Sequence, residues 1–328
     1  MILFVDGIPD NNLIRFSLDK KGIRRLMLSG ITNAFPYLGI KENQRLIHTL
    51  VGQDFQQPDI TLPQMPRLIF NQIADPDTSF GALERCVELV KHTGAPVINH
   101  PAKVLQTMRH QVAETLQGID GLRVPRTIRC EPLSPEDVYS MASAANIELP
   151  FIVRVAGEHG GQQMLRVDSD DAYADLHAFP FDGRAFYILE YLEFADKDGV
   201  YHKYRIAMIG QQAIARHALV GSEWKVHSHA RDSDYYRAFP PEQERVARIE
   251  HEFLPHLARV FTEIRERLGL DYFGVDCSIS DAGEVTLFEA NAAMNLLQNL
   301  VPGLDPVIDR IRTATRDLIA RRSGMSLA

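Results

Sequence analysis

Alternating apolar and polar positions divide the chain into short strand-sized runs and longer helical ones. Toward the C-terminal end, Gly274-Val275-Asp276 and Glu289-Ala290-Asn291 lie in two β-rich runs joined by the turn-forming stretch Ser280-Asp281-Ala282-Gly283, which reads as a hairpin. With Asp276 opposite Leu287, the two-residue period places Asp276, Glu289 and Asn291 on one face, beside Val285 and Leu287. A one-residue slip would turn Asp276 to the other face. Carboxylates beside apolar surface need a partner, and a hard cation such as Mg²⁺ fits two carboxylates plus an amide oxygen.

The first hundred residues alternate apolar runs with polar or helical ones. Strands are expected at Ile2–Val5, Arg25–Leu28, Leu68–Asn71 and Pro96–Ile98, and an amphipathic helix at Ser79–His92, ended by Gly94 and Pro96. The stretch Gln53–Pro66, with three prolines, reads as a loop. This pattern predicts a small α/β unit with a mostly parallel sheet. A helix at Pro101–Gln117, an edge strand at Val124–Ile128 and a helix from Ser134 follow. Strands are then expected at Phe151–Val155 and Ala185–Tyr191, a hairpin at Tyr204–Ile209 and Gln212–His217, and helices at Gln243–Leu268 and Pro306–Arg322.

Bulk properties narrow the function without naming it. At 328 residues, 45% hydrophobic and 24% charged, the chain is of ordinary globular composition with room for two or three packed units. A net charge of −8 argues against a general nucleic-acid binder. Three distant cysteines, Cys86, Cys130 and Cys277, build no disulfide framework or zinc knuckle and suit the cytoplasm. Met1–Val5 reads as a first strand rather than a signal peptide, and no run approaches the roughly 18 apolar residues of a membrane span. His251-Glu252-Phe253-Leu254-Pro255-His256 is not a zinc motif, because its histidines are five apart on a helix that Pro255 interrupts. No P-loop and no nucleophile elbow occur.

Several stretches can carry chemistry, each with a plainer alternative. Phe151–Arg154 runs into Gly157-Glu158-His159-Gly160-Gly161, a loop able to cradle phosphates beside Arg154, or simply a hairpin turn with a surface charge. Ile188–Glu193 is an apolar strand ending in acids, fit for an adenine edge and ribose hydroxyls, or a solvated strand end. Lys203 and Arg205 share a strand face, with Arg216 on the next strand; they face phosphate or water. Gly221–Tyr236 is a long aromatic and basic connection holding Trp224, Lys225, His227, His229 and Arg231, more typical of a lid or binding loop than of an inert one.

The order of these features resembles the ATP-grasp superfamily, as in D-alanine–D-alanine ligase, glutathione synthetase and the ribosomal-protein glutamate ligase. The resemblance covers about residues 97–300 and rests most on the spacing Asp276, Glu289, Asn291. It implies an α/β ATP-grasp fold with a pre-grasp domain at 1–96, a small lid subdomain at 97–188 and a large subdomain at 189–328. It also implies ATP and Mg²⁺ (or Mn²⁺) as cofactors. Asp276, Glu289 and Asn291 would hold the metal. Arg109, Arg154, Gly157, His159, Gly160, Gly161, Glu190, Tyr191, Leu192 and Glu193 would bind the nucleotide. Arg205, Arg154 and Arg216 would act at the transferred phosphate, and Lys225, His227, His229 and Arg231 would contact substrate. Met108-Arg109 stands where the family has a lysine, Arg154 replaces a second one, and Asn291-Ala292-Ala293-Met294-Asn295 replaces Asn-x-x-Pro-Gly. The implied activity is ligation of a carboxylate to an amine, an amino acid or a peptide, through an acyl phosphate. A phosphotransferase and a non-catalytic nucleotide-binding module remain the alternatives. No nucleic-acid or membrane partner is implied, and the oligomeric state is left open, a homodimer included.

Overall fold

The computed structural model describes residues 1–18, 24–52, 62–158, 160–169, 173–298, 301 and 303–327, without the side chains at 17, 24–26, 229 and 230. His159 and most of the loop expected at 53–66 lie outside this set.

The first unit comprises β1 (Ile2–Gly7), β2 (Arg15–Leu18), β3 (Arg24–Met27), β4 (Arg45–Leu50), β5 (Leu68–Asn71), α1 (Phe80–Thr93) and β6 (Val97–Ile98). Strands β4-β1-β5-β6 form an all-parallel sheet. Its central strand is apolar on both faces because both are covered. Leu3 and Val5 pack with Ala82, Leu83 and Cys86 of α1, while Ile2 and Phe4 pack with Leu38 and Ile40. Two expectations change here. Arg45–Leu50 is a strand that its mixed composition concealed. The run near Arg25–Leu28 stays outside the parallel sheet and pairs with β2 in a separate hairpin.

The second unit holds α2 (Pro101–Val104), α3 (Arg109–Leu116), β7 (Leu122–Arg123), β8 (Thr127–Cys130), α4 (Pro135–Ala144), β9 (Phe151–Val155), β10 (Met164–Val167), α5 (Tyr173–Leu176) and β11 (Phe186–Glu190). The single helix expected at 101–117 is two helices, broken where Met108 turns extended, with ψ of 146°. The break puts Arg109 in the first turn of α3. Of the strand expected at 124–128 only Thr127 and Ile128 are in one, β8, which edges the antiparallel sheet β10-β9-β11-β8; Val124–Arg126 separate it from β7, which joins the large sheet. In that sheet Phe151, Val153, Val155, Phe186 and Ile188 pack on Val138 and Ala142 of α4. The alternate residues Ile152, Arg154 and Leu189 face the other way.

The third unit adds β12 (Tyr201–Ile209), β13 (Gln212–Gly221), α6 (Asp234–Arg237), α7 (Glu242–Arg248), α8 (Leu254–Leu268), β14 (Tyr272–Ile279), β15 (Val285–Asn291) and α9 (Asp305–Ser323). Helices α7 and α8 form the expected long helix, joined by a π turn at Ile249–Phe253 just before Pro255, whose missing N–H and ring disturb the regular ladder. The large sheet runs β13-β12-β14-β15-β7. One face, with Ile206, Met208, Phe273, Val275 and Cys277, packs on Leu257, Phe261 and Ile264 of α8. On the other, Ala207, Ile209, Ile214 and Tyr272 lie against Ile311, Leu318 and Ile319 of α9. The far half of that second face carries polar residues and faces the small antiparallel sheet. No helix among the described residues is long and apolar enough to cross a membrane.

Candidate active site

Between the two sheets lies a cleft of about 410 Å³, within the size range of small-molecule sites. Its floor is one cross-strand row. His217 on β13 pairs with Arg205 on β12, Arg205 with Asp276 on β14, and Asp276 with Glu289 on β15. Two β-bulges flank the row, at Arg216 and at Phe288, each adding a residue that no partner opposes. The second bulge sets the geometry of the acids. Leu287 pairs with Cys277 and Glu289 with Asp276. Asp276, Glu289 and Asn291 therefore share a face as expected, but Asp276 lies opposite Glu289 rather than Leu287. Val285 and Leu287 belong to the buried apolar side, so Thr286, not they, accompanies the acids.

Cations surround the two carboxylates. Arg205 grips Asp276 through Nε at 2.7 Å and Nη2 at 2.9 Å, and Lys203 Nζ adds a contact at 3.0 Å. Asp276 is 1% exposed. Burial opposes its charge, yet Arg205 and Lys203 outweigh burial and hold the carboxyl well below the usual range. Arg109 reaches from α3 to Glu289 Oε1 at 2.6 Å. Burial works against the Arg109 charge too, but Glu289 outweighs it and pushes that guanidinium up. Arg154 enters from the roof, where burial and neighbouring Arg109 push it down to about 10. Its Nη2 donates to the Glu158 carbonyl, while its Nε and the Nε2 of His227 are buried with no hydrogen-bond partner among the described residues. Four cations, Arg109, Arg154, Lys203 and Arg205, thus gather around Asp276 and Glu289, a surplus that suits a polyanion.

One end of the cleft is aromatic and apolar. Pro125, Ile152, Leu189, Tyr191 and Leu192 line it. Phe194 and Phe288 pack with ring centroids 4.6 Å apart and planes tilted by 58°, and Arg166 lies over Tyr191 at 4.8 Å and Trp224 at 5.6 Å. Glu190 is on the lining, its carboxylate accepting from the Arg126 N–H at 3.1 Å. Glu193 is not. Its carboxylate turns back onto the N–H groups of Phe194 and Ala195 at 2.8 and 2.9 Å.

Gly160, Gly161, Lys225, His227 and Arg231 reach the cleft, and Gly157 instead abuts Thr78 of the first unit. Gly161 has a positive φ of 72°, and a Cβ there would come within 2.0 Å of His227 Nε2, so the glycine loop and the 221–239 connection touch. Burial, with Lys203 and Lys225 nearby, pushes His227 down to about 4. Arg231 is held at 2.7 Å and 2.9 Å by Glu242, which also contacts His217 at 3.1 Å and accepts from the Tyr236 hydroxyl at 2.7 Å. Glu242 is 5% exposed, and these partners outweigh burial to hold it well below the carboxylate range. Arg216 does not line the cleft. Fully buried, it donates to the carbonyls of Leu296 at 2.9 Å and Gln298 at 2.8 Å, tying that loop to the bulge.

Glu242, Phe194 and Phe288 were not anticipated. Phe194 directly follows the acidic strand end, a usable signal. Glu242 follows Pro240-Pro241 and reads as an ordinary first-turn helix acid.

No protein-family profile matches the chain, and no curated protein is similar to it in sequence. Solved structures are similar in fold. The RimK domain ATP-grasp protein from Sphaerobacter thermophilus superposes at a TM-score of 0.52 and 15% identity, covering 98% of this chain and 100% of that one. VanG D-Ala:D-Ser ligase from Enterococcus faecalis gives 0.56 at 12% identity, over 98% of each chain. The macrocyclase MdnC from Microcystis aeruginosa, solved with its precursor peptide MdnA, gives 0.51 at 13%, over 95% and 98%. The chain has the ATP-grasp fold. The antiparallel sheet β10-β9-β11-β8 roofs the cleft and the five-stranded sheet floors it. The likeness extends through the parallel sheet of the first unit, since nearly the whole chain is covered.

Proposed function

We propose that this chain is an ATP-dependent ligase that joins a carboxylate to an amine through an acyl phosphate. The observation that carries the reading is the floor row Arg205–Asp276–Glu289, faced from above by Arg154 and from the side by Arg109. Tyr191, Phe194, Phe288 and Trp224 offer flat apolar walls to a purine. Arg154, Lys203 and Arg205 would meet the phosphates, and the Nε of Arg154, without a hydrogen-bond partner among the described residues, supports that placement.

Among the described residues no three His, Cys, Asp or Glu side chains gather at metal-binding distance, so the available donors are two carboxylates and the amide oxygen of Asn291. That set fits Mg²⁺ or Mn²⁺, which complete their shells with phosphate oxygens and water. Asp276, Glu289 and Asn291 would hold such an ion, which when bound would neutralise phosphate charge. In the reaction the substrate carboxylate attacks the γ-phosphorus and ADP leaves. The amine nitrogen then attacks the acyl carbon, phosphate departs, and the amine gives up a proton. Arg205 and Arg154 stabilise charge on the transferred group, and the contact between Gly161 and His227 keeps water from the acyl phosphate.

The acceptor is an amino acid, amine or peptide. One structural neighbour was solved with a precursor peptide, which favours including peptides among the substrates tried. Hydroxylamine trapping over a panel of amino acids and short peptides identifies the activated acid as its hydroxamate. A ligase releases ADP only when acid and amine are both present. Release with a single phosphate acceptor and no amine would establish a phosphotransferase, and nucleotide binding with no release across the panel would establish a binding module.

A further inference from the structure

Arg231 lines the cleft without joining the cations around Asp276 and Glu289. It comes from the connection after β13, and Glu242 at the start of α7 fixes it. Its Nε donates to Glu242 Oε2 at 2.7 Å and its Nη2 to Oε1 at 2.9 Å, and Nη2 also meets His217 Nδ1 at 3.0 Å. These bonds use the Nε–Nη2 edge of the planar fork. Among the described residues Nη1 makes no hydrogen bond, so the second edge, Nη1 with Nη2, is left for a ligand. The Glu242 carboxylate is itself buried and locked, since it also accepts from the Tyr236 hydroxyl at 2.7 Å. The guanidinium is therefore oriented in advance rather than free to turn away.

Charge sets the kind of ligand. Next to Arg231 lies the buried Arg216, whose bonds go to the carbonyls of Leu296 and Gln298 and to His217 Nδ1 at 3.2 Å, none of them an acid. Two guanidiniums thus share one carboxylate, Glu242, and the group carries one positive charge in excess. A strut that only tied the connection to α7 would need neither the excess charge nor a place on the cleft wall. A planar edge of two N–H groups matches a carboxylate. Position separates this edge from the phosphate cations. Adjacent strands lie about 4.8 Å apart, so the two steps from Asp276 through Arg205 to His217 span about 10 Å. An extended chain advances about 3.5 Å per residue, so a substrate of no more than about three residues, reacting over Asp276, would bring a second polar end to Arg231.

We propose that Arg231, positioned by Glu242, recognises a free carboxylate of the substrate, one that is not itself activated. The carboxylate belongs either to the amine partner, as in an α-amino acid or the C-terminus of a short peptide, or to a diacid that is activated at its other end. This deepens the ligase reading and rests on it.

The probes are alanine and alanylalanine, each beside its C-terminal amide, and glutarate beside its monoamide. They are titrated into the full chain by saturation-transfer NMR, with and without Mg²⁺ and the non-hydrolysable ATP analogue adenylyl imidodiphosphate. At least one acid should bind at least about tenfold tighter than its amide. A preference for alanine or alanylalanine puts the carboxylate on the amine partner, and one for glutarate puts it on the acid to be activated. Arg231→Gln should weaken the acids to the level of the amides. Glu242→Gln should weaken the acids more than the amides, whereas a merely structural role would weaken both alike. All variants are measured well below their unfolding temperatures. No saturable binding of any acid, equal binding of acid and amide, or a preference that survives Arg231→Gln overturns the proposal. An analogue that does not bind overturns the ligase reading instead, and leaves the acid preference to be read in the empty cleft.

Discussion

Arg205 and Asp276 face each other across adjacent strands and meet through two hydrogen bonds, at 2.7 and 2.9 Å, with Asp276 almost wholly buried. A buried carboxylate in that position is tolerable only while its cations hold it. Asp276→Asn leaves Arg205 and Lys203 facing a neutral amide. We expect ADP release to fall by at least about a hundredfold and the Mg²⁺ dependence of nucleotide binding to disappear. Steady-state assays and calorimetry with and without Mg²⁺ check this. Unchanged Mg²⁺-dependent binding would remove Asp276 from the metal site. Arg205→Lys keeps the charge but loses the planar fork, and should retain binding while losing most turnover.

Gly161 and His227 test the closure of the cleft. Gly161→Ala meets two obstacles, a left-handed backbone and a ring atom 2.0 Å from the new Cβ. Nucleotide KM should rise several-fold. Adding His227→Ala removes the collision but not the backbone strain, so part of the effect should return. If His227→Ala restores nothing, the two segments do not close on each other.

Arg216 is expected to matter for stability before chemistry. Its guanidinium holds the carbonyls of Leu296 and Gln298, and Arg216→Met leaves both without that donor. Loss on the order of 3 kcal/mol in urea unfolding is expected, as for other broken buried charge networks. Wild-type unfolding with lost turnover would instead put Arg216 in the reaction.

The Asp276, Glu289 and Asn291 set was legible because its residues are chemically distinctive and closely spaced. Their shared face was legible from the two-residue period. The partner of Asp276 was not, since a bulge at Phe288 has no compositional mark and only the assembled sheet decides which residue goes unpaired. Arg216 was visible as a cation near a strand end. Its commitment to two carbonyls depends on a loop some eighty residues later and could not be read. Glu242 was hidden for the opposite reason: an acid in the first turn of a helix is what any solvent-facing helix would show. The ATP-grasp fold was legible through the order of the features, whereas β4, with Arg45 and His48 in its run, lacked the apolar signal of its neighbours.

At the β13 end of the floor row, His217 makes a prediction in pH. Burial first, and then the nearby Arg216 and Arg205, push it down to about 4 despite Glu242. In the unfolded chain a histidine titrates near 6.5, so between about 4 and 6.5 the unfolded state binds the extra proton. Stability should therefore rise with pH through that window, with His217 contributing up to about 1.4 kcal/mol per pH unit. His227, also pushed down to about 4, acts in the same sense. Asp6 acts in the opposite one, because burial raises its carboxyl to about 6 and folding then favours the protonated form. The raw slope mixes these, so the decisive comparison is between variants. Urea unfolding from pH 5 to 7 should show a shallower rise for His217→Gln than for wild type, and a shallower one again when His227→Gln is added. Glu242→Gln should act differently: it removes a carboxylate that Arg231, His217 and Tyr236 all contact, and so should lower stability across the whole range. An identical slope in wild type and His217→Gln would mean that His217 takes up its proton in the folded protein as readily as in the unfolded chain.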